Sequence, residues 1–526
     1  MSALPASLRL PPERGAPPRE LEIRPKQVKA WIDALPLAQT VDAARKMAAH
    51  LTALNRAKVD VDDRILILET YRPVAATVLD ELDAIYSKAN LPLGPRSREA
   101  LALARGLAFE LAAGYRIAAC EKSGKLLAFG AKKVLPLLVA RAMEYLGAEL
   151  LASYKAYAPA PASTWLELHQ LYLFADRQGI ATQSIEPGKE PTPTEVYAEA
   201  LLLSLTDPYR LVPGEADKIL AMLRPMRALA SLGQARPATR SGGHFVVPCD
   251  MDRPPKPALS ANDDTGGPNW RLLDTNAIVD KLRQRRAAHE AGQVSQTLSR
   301  ATTPEALALM SRLAILWGDP PKRAHRREPM ETTVAVCVGL KAVGHFVSTD
   351  AHHDPTADGQ AIRAGITIPL ISIPDDETSR QYPVREWDVV NHSAGGVKLK
   401  RCADGGQSIV VGDVVGLKFM GRRGWTVGVV RWITQFDEGG FEFGVQFLAT
   451  TAVAVWVQPQ NSQSPQAKPG LLMDDFEGAQ QLLTPPALFA ELRVYEVDAN
   501  GELTTVRATG LIEKTARFDI FYVSSC

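Results

Sequence analysis

The sequence predicts a multidomain α+β protein, with an N-terminal all-helical domain followed by antiparallel β-barrel domains. Three observations predict this fold class. The chain has 526 residues, more than one hydrophobic core usually holds together. Residues 26–235 carry apolar side chains at helical spacing, and residues 331–450 carry short β-branched runs separated by turn residues. Many short strands with turns between them favour a closed or sandwiched antiparallel sheet.

The composition is ordinary for a globular protein and excludes several classes of function. Hydrophobic residues make up 46% and charged residues 23%. The 60 Lys and Arg nearly balance the 59 Asp and Glu, whereas polynucleotide-binding proteins usually carry a basic excess. The five cysteines lack the spacing of a metal site or a disulfide framework, which suits a reducing compartment. The N-terminus has no signal-peptide pattern, and the most apolar window, 100–119, is interrupted by charges, so we expect a cytoplasmic protein without a membrane span.

The N-terminal half is predicted to be helical throughout. Residues 1–25 are rich in proline and charge and are expected to form a mobile arm. The helical domain, 26–235, is interpreted as a bundle, with a surface available to a protein partner. Its helices are expected at 41–54, 62–89, 96–122, 131–157, 163–178, 194–205 and 214–232. Pro73 is expected to kink or split the second of these helices.

The C-terminal half is predicted to be mostly β-structure. Residues 236–300 are interpreted as a small mixed module that could be a degenerate barrel, and residues 301–457 as the main barrel. Strands of the main barrel are expected at 332–338, 366–373, 387–390, 397–400, 414–419, 425–434, 441–448 and 452–457. Residues 458–470 are polar and are expected to be a linker, and residues 471–526 form a β-rich tail.

Two short motifs in the main barrel are candidates for a binding site. The first is a basic cluster before the strand at 332–338, with an Arg-x-x-x-Arg spacing, and it comprises Lys322, Arg323, Arg326 and Arg327. The second is a polar turn between strands with an Asn-x-Ser-x-x-Gly spacing, and it comprises Asn391, Ser393, Gly395 and Gly396.

These motifs, followed by two glycine-containing strands at 428–432 and 444–447, resemble the PilZ family, whose members are small antiparallel barrels that bind cyclic di-GMP. The resemblance covers residues 318–450 and implies that the barrel is PilZ-like. It implies that the arginines contact phosphate and guanine, and that the Asn and Ser turn contacts the remaining base. The residues implied to bind cyclic di-GMP are Arg323, Arg327, Asn391, Ser393 and Gly396. Arg326 adds a third donor between the arginines, and Lys322 and Gly395 are additional candidates.

The chemistry of the two motifs suits this ligand. An arginine fork can donate two hydrogen bonds to guanine O6 and N7 or grip a phosphate, and its flat face can stack on a base. A glycine lets the backbone approach closely. The two motifs lie farther apart than in the usual family pattern, and an insertion near 340–385 accounts for the difference. Arg363, Arg380 and Arg385 in that insertion could let the site hold more than one nucleotide.

Other interpretations of the same residues remain open. The basic cluster alone would be taken for a solvated face. Ser393 could suggest a nucleophile elbow, but Asn391 stands where that motif requires glycine, and a strand follows instead of a helix. His352, His353 and Asp354 could bind a metal, but they lack the spacing of ligands on a helix or strand.

The sequence therefore predicts a cyclic di-GMP receptor that is not an enzyme and needs no cofactor or metal. We expect it to relay ligand binding by a domain rearrangement or through a partner. An alternative from a different class is a ligand-free adaptor that acts through the helical domain. A metal hydrolase is a remote third. The oligomeric state and the ligand stoichiometry stay open.

Overall fold

The structure is a computed structural model in which the chain forms two compact units, one mainly helical and one built of two barrels. The residues that it describes are 9–12, 15–124, 131–234, 242–258, 267–291, 304–321, 326–351, 381–402, 408–422, 424–436, 440–460, 466–474 and 478–526. The predicted fold class, a helical domain followed by antiparallel barrels, is confirmed.

In its described residues, the first unit begins with eight α-helices. They are α1 (Pro25–Asp33), α2 (Thr40–Arg56), α3 (Val61–Tyr86), α4 (Pro95–Gly124), α5 (Ala131–Lys155), α6 (Thr164–Arg177), α7 (Pro193–Ser204) and α8 (Glu215–Leu223). Short 3₁₀ turns at Pro208–Arg210 and Arg224–Leu229 flank α8. The helix α4 is the centre of this bundle, and α2, α3 and α5 all pack on it.

Local signals explain where several helices begin. The Asp60 side chain accepts hydrogen bonds from the first backbone N–H groups of α3, and Thr192 and Glu195 form a reciprocal capping box at the start of α7. Of the kink or split expected at Pro73, the split does not occur, because α3 continues through this residue. Pro73 is exposed, and the flanking turns are held by buried side chains such as Tyr71 and Ala75. Tertiary packing therefore outweighs the missing backbone donor.

Helices of this unit also bury charge. The Arg116 guanidinium and the Glu167 carboxylate form an ion pair with both side chains fully buried. Arg9, from the N-terminal segment, donates to the same carboxylate at 2.8 Å and lies over the Phe109 ring. The carboxylate of Glu167 thus joins α4, α6 and the segment that precedes the bundle.

Between residues 231 and 321, the described part of the first unit contains a small sheet and two helices. Strands β1 (Ser231–Gln234), β2 (His244–Val247), β3 (Lys256–Pro257) and β4 (Arg271–Asp274) pair in the order β1-β4-β2-β3 and do not close. The helices are α9 (Asn276–Glu290) and α10 (Pro304–Leu316). The mixed module expected at 236–300 is therefore an open sheet with a helix in its described residues.

The second unit opens with a closed six-stranded barrel. Its strands are β5 (Glu328–Val338), β6 (Val384–Ser393), β7 (Gly396–Cys402), β8 (Val414–Phe419), β9 (Thr426–Gln435) and β10 (Gly440–Ala449). Going around the barrel, the order is β5-β6-β7-β10-β9-β8, and every pair is antiparallel. The insertion between β5 and β6 contains α11 (Leu340–Ala351). The strand expected at 366–373 lies outside the described residues.

A second closed barrel follows immediately. Its strands are β11 (Ala452–Pro459), β12 (Lys468–Asp474), β13 (Gln480–Thr484), β14 (Val494–Ala499), β15 (Glu502–Lys514) and β16 (Asp519–Ser525). The order β11-β12-β13-β16-β15-β14 repeats that of the first barrel, strand for strand. The run at 452–457, which the sequence analysis placed in the main barrel, pairs with β12 and β14 and belongs to the second barrel.

The helix α11 packs between the two barrels. Its Val343 and Phe346 belong to one buried cluster with Val427 of β9 and with Leu471 and Phe518 of the second barrel. Two ion pairs also connect the barrels, Arg431 with Glu513 and Arg517 with Asp413. The barrels thus share a continuous apolar core.

No helix among these described residues combines the length and the hydropathy that crossing a membrane requires.

Candidate functional site

The start of β5 lies beside the turn between β6 and β7. Glu328 pairs with His392 and Pro329 with Asn391 in the β5–β6 ladder. Arg326 and Arg327 directly precede Glu328 and are exposed. The structure therefore brings these two arginines next to the Asn-x-Ser turn, although the whole insertion at 340–385 separates them in sequence. Lys322 and Arg323, which the sequence analysis also singled out, lie outside the described residues.

The β6–β7 turn is a tight hairpin. Ser393 and Gly396 are cross-strand partners, and Ala394 and Gly395 form the two-residue loop between them. The Ser393 hydroxyl donates to the Gly396 carbonyl oxygen at 3.3 Å. This geometry holds the serine at the rim of the hairpin, on a connection between two strands and not before a helix. The nucleophile elbow considered from the sequence is therefore not formed.

Gly396 is required by the barrel wall itself. A Cβ at this position would overlap the carbonyl oxygen of Val445 on β10. Residue 396 pairs with Gln446, and the Phe447 N–H donates to the Gly395 carbonyl oxygen at 3.0 Å. The close approach that a glycine permits is thus used by the neighbouring strand.

The polar residues of the turn share the outer face of the barrel with a lysine. Val397 and Leu399 of β7 are buried, so the alternation of the strand directs Lys398 outward. Asn391 is the cross-strand partner of Lys398 and lies on the same face. Within the described part of the chain, the side chains of Asn391, Arg326 and Arg327 form no hydrogen bond or ion pair. These groups are therefore available to a ligand.

A tryptophan continues this outer face. The indole of Trp432 on β9 occupies the space where a Cβ of Gly444 would stand, so it packs against the backbone of β10. The Lys398 Nζ atom is 5.7 Å from the centre of the Trp432 ring and 2.7 Å from a Glu442 carboxylate oxygen. Neither Lys398 nor Trp432 belongs to the two motifs predicted from the sequence. The available signal was the glycine in the 444–447 strand, which left room for a large ring on the next strand.

Arg431 on β9 connects this outer face to the second barrel. The register of β9 shifts between Trp432 and Val430, so Arg431 is the extra residue of a bulge. Its Nε atom donates to the Gln446 side chain at 2.8 Å, and its two terminal nitrogens donate to the Glu513 carboxylate at 2.6 Å each. Gln446 is in turn the partner of Gly396. One side chain therefore connects the strand behind the hairpin with β15.

The remaining candidates from the sequence do not join this site. Arg385 is opposite Val336, at the far end of β6 from the hairpin. Arg363 and Arg380 lie outside the described residues, as do His352, His353 and Asp354. Elsewhere in the chain, no group of three or more His, Cys, Asp or Glu among the described residues is arranged to hold a metal ion.

Comparisons with known proteins match nearly the whole chain. A family model described as "Cyclic-di-GMP receptor FimW, N-terminal domain" matches residues 26–238. A second, described as "Cyclic-di-GMP receptor FimW, middle PilZ domain", matches residues 244–364 and 371–453. The curated protein cyclic-di-GMP receptor FimW of Pseudomonas aeruginosa is 25% identical over 531 residues, which cover 91% of this chain and 86% of that protein. No solved structure matches the chain significantly.

Proposed function

Because the chain belongs to the family of PilZ-domain cyclic di-GMP receptors, we propose that it binds cyclic di-GMP on the outer face of the first barrel. The observation that carries this proposal is the pairing of Glu328 with His392 and of Pro329 with Asn391, which puts Arg326 and Arg327 beside the second motif. The proposal includes that the protein acts in the cytoplasm as a receptor without catalytic activity. Cyclic di-GMP is then its ligand and not a cofactor.

The proposed roles follow the chemistry of each group. Arg326 and Arg327, whose guanidinium groups are unpaired in the described chain, would grip the phosphates and the guanine edges of the ligand. Arg323 would extend the same arm, with Lys322 adding charge. Asn391 and the Ser393 hydroxyl would bind the remaining base. The two glycines of the turn would act by keeping the hairpin close to β10.

The outer face adds two residues to the proposed site. Trp432 packs against β10 beside Lys398, and an indole ring is a good stacking surface for a guanine. Lys398 contributes a positive charge that is only partly neutralised by Glu442, because both side chains remain about one fifth exposed. We expect Trp432→Phe to retain most of the affinity and Trp432→Ala to lose about tenfold or more, since base stacking is worth about 1–3 kcal/mol per base.

Calorimetric titration of the full chain with cyclic di-GMP tests the site. Hydrogen bonds to charged groups contribute about 1.5–3 kcal/mol each, so the double variant Arg326→Ala/Arg327→Ala should lose roughly 100-fold or more in affinity. Asn391→Ala should lose roughly tenfold. The matched control is Arg507→Ala, which removes an exposed arginine from β15. Equal affinity in the wild type and the double arginine variant would exclude this site.

The relay that the sequence analysis expected is proposed to run through Arg431. A ligand with two phosphates on the outer face would attract this guanidinium, which is held by Gln446 on the first barrel and by Glu513 on the second. Ligand binding would then loosen the contact between the barrels. Because Glu513→Gln releases the arginine, it should tighten cyclic di-GMP binding several-fold. The control is Asp413→Asn, which weakens the other ion pair between the barrels, with Arg517. Unchanged affinity in Glu513→Gln would exclude the relay and leave the receptor.

The alternative function is a ligand-free adaptor that acts through the helical domain, and it is favoured by an open groove of about 810 Å³ that α3, α5, α7 and α8 line in that domain. The same titration separates the two functions. No measurable binding of cyclic di-GMP by the full chain would support the adaptor.

A further inference from the structure

The outer face of the first barrel carries a carboxylate beside the indole on which a guanine is proposed to stack. Glu442 lies two residues before Gly444 on β10, and Gly444 pairs with Lys398 on β7 and with Trp432 on β9. Residues two apart on a strand face the same side of the sheet, so Glu442 shares the outer face with the lysine and the indole. It is the diagonal neighbour of both residues, at a spacing of about 7–8 Å that long and aromatic side chains bridge.

The carboxylate of Glu442 is held by one cation and keeps one oxygen unpaired. The Nζ atom of Lys398 lies 2.7 Å from Oε1, and the glutamate side chain is only 19% exposed. The lysine directly opposite on β7, Lys400, lies over the Phe436 ring, whose centre is 5.1 Å from its Nζ atom. Among the residues that the structure describes, Oε2 of Glu442 has no hydrogen-bond partner and is not sealed from solvent. An acceptor that is positioned but not saturated is therefore present beside the indole.

A carboxylate distinguishes the Watson–Crick edge of guanine from that of adenine. Carboxylate oxygens only accept hydrogen bonds, and together they offer about four lone-pair positions. Guanine presents two neighbouring donors on this edge, the N1–H and the 2-amino group, whereas adenine presents an acceptor at N1. Guanine can thus donate to both oxygens, while adenine would place a lone pair against a negative charge. Such mismatched polar groups are what make a binding site selective.

From this arrangement we propose that Glu442 makes the site selective for guanine, by accepting from the N1–H and the 2-amino group of the base that stacks on Trp432. The inference rests on the proposed binding of cyclic di-GMP and adds a residue that determines the specificity. Arginines recognise guanine through O6 and N7, on another edge of the base, so Arg326 and Arg327 do not compete with this contact. The ion pair with Lys398 offsets the repulsion between the carboxylate and the phosphates of the ligand.

Cyclic di-IMP isolates this contact, because its bases lack only the 2-amino group of guanine. Calorimetric titrations of the full chain compare cyclic di-GMP with cyclic di-IMP in the wild type and in Glu442→Gln, which keeps the shape of the side chain and removes its charge. The wild type should bind cyclic di-GMP about tenfold more tightly than cyclic di-IMP, since a hydrogen bond to a charged group is worth about that factor or more. In Glu442→Gln the ratio of the two affinities should fall at least about fourfold, because charged hydrogen bonds are roughly twice as strong as neutral ones.

The ratio of affinities removes effects that are not specific to the base. Loss of a negative charge and release of Lys398 strengthen the binding of both ligands alike, because both ligands carry two phosphates. A contact between the second base and another residue also cancels, since it is the same in both proteins. The matched control is Asp388→Asn, which removes an exposed carboxylate from the same face, on β6 opposite Lys400. This variant should change both affinities by the same factor.

The outcomes separate this inference from the proposed function. A fall of the ratio in Glu442→Gln and not in Asp388→Asn supports the assignment, and Glu442→Met repeats the comparison with a side chain that accepts no strong hydrogen bond. Circular dichroism melting checks that the variants fold. An unchanged ratio in Glu442→Gln, or an equal fall in Asp388→Asn, overturns the assignment and leaves the receptor. If the wild type binds neither nucleotide, the proposed function is wrong as well.

Discussion

Replacing Gly396 with alanine tests whether this motif glycine serves the barrel wall. The new Cβ would overlap the carbonyl oxygen of Val445, a backbone atom that cannot rotate away. The strands β7 and β10 must then separate near the pair of Gly396 and Gln446, where the Phe447 N–H donates to the hairpin. Overpacking costs about 1–3 kcal/mol, and each backbone hydrogen bond that opens adds about 0.5–1.5 kcal/mol. We expect a local destabilisation of about 2–4 kcal/mol.

Hydrogen exchange of the full chain, followed by mass spectrometry, measures this effect. Amides of β7 and β10 should exchange roughly 30- to 1,000-fold faster in Gly396→Ala, since each 1.4 kcal/mol corresponds to a factor of about ten. The matched control is Gly510→Ala on β15, where the nearest atom to a new Cβ, on Tyr522, is 3.7 Å away. Unchanged exchange in Gly396→Ala would refute the reasoning. If the prediction holds, lost ligand binding in this variant reports a damaged barrel and not a lost ligand contact.

Three further predictions concern buried groups. Burial lowers the pKa of His169 to about 4. As pH falls from about 6.5 to about 4, the imidazole therefore takes up a proton in the unfolded chain but not in the folded one. The free energy of unfolding, measured by melting curves, should fall by about 2–4 kcal/mol over this pH range, and the fall should be smaller in His169→Gln. Burial raises the pKa of the Cys337 thiol to about 12, so iodoacetamide at pH 8 should label the exposed Cys526 and leave Cys337 unlabelled by mass spectrometry. Glu167→Gln leaves the fully buried Arg116 without its carboxylate. The free energy of unfolding, measured by chemical denaturation, should therefore fall by about 3–5 kcal/mol.

Local pattern in the sequence was sufficient for most elements. The strand predicted at 414–419 is observed as Val414–Phe419, and the helix predicted at 194–205 is observed as Pro193–Ser204. The strand depends on a short run of β-branched and apolar residues and the helix on apolar residues at helical spacing, and both signals lie within the segment itself. Such patterns could not predict that Arg326 and Arg327 lie beside the turn at Asn391. It depends on the β5–β6 register, which joins residues across an insertion whose length a single sequence cannot interpret.

The boundary between the barrels was also beyond local pattern. The run that became β11 alternates in the same way whether its partners are β10 or β12, so its membership is decided by distant strands. The polar stretch expected to be a linker includes the first residues of β12 for the same reason. At the site, the sequence suggested that Gly396 gives room for a ligand, whereas the structure shows that β10 uses this room. A single sequence shows where a glycine stands but not which strand packs closely against it.

The helix between the barrels has a consequence for where the chain can be cut. A truncation after β10 would leave Val343 and Phe346 of α11 facing water, because the partners Leu471 and Phe518 would be gone. Fully burying a large apolar side chain stabilises a folded protein by about 1.5–3 kcal/mol. The apolar surface that the truncation exposes would also promote aggregation. The first barrel is therefore expected to be insoluble when expressed alone. A destabilising substitution in the core of the second barrel should then also destabilise the first barrel.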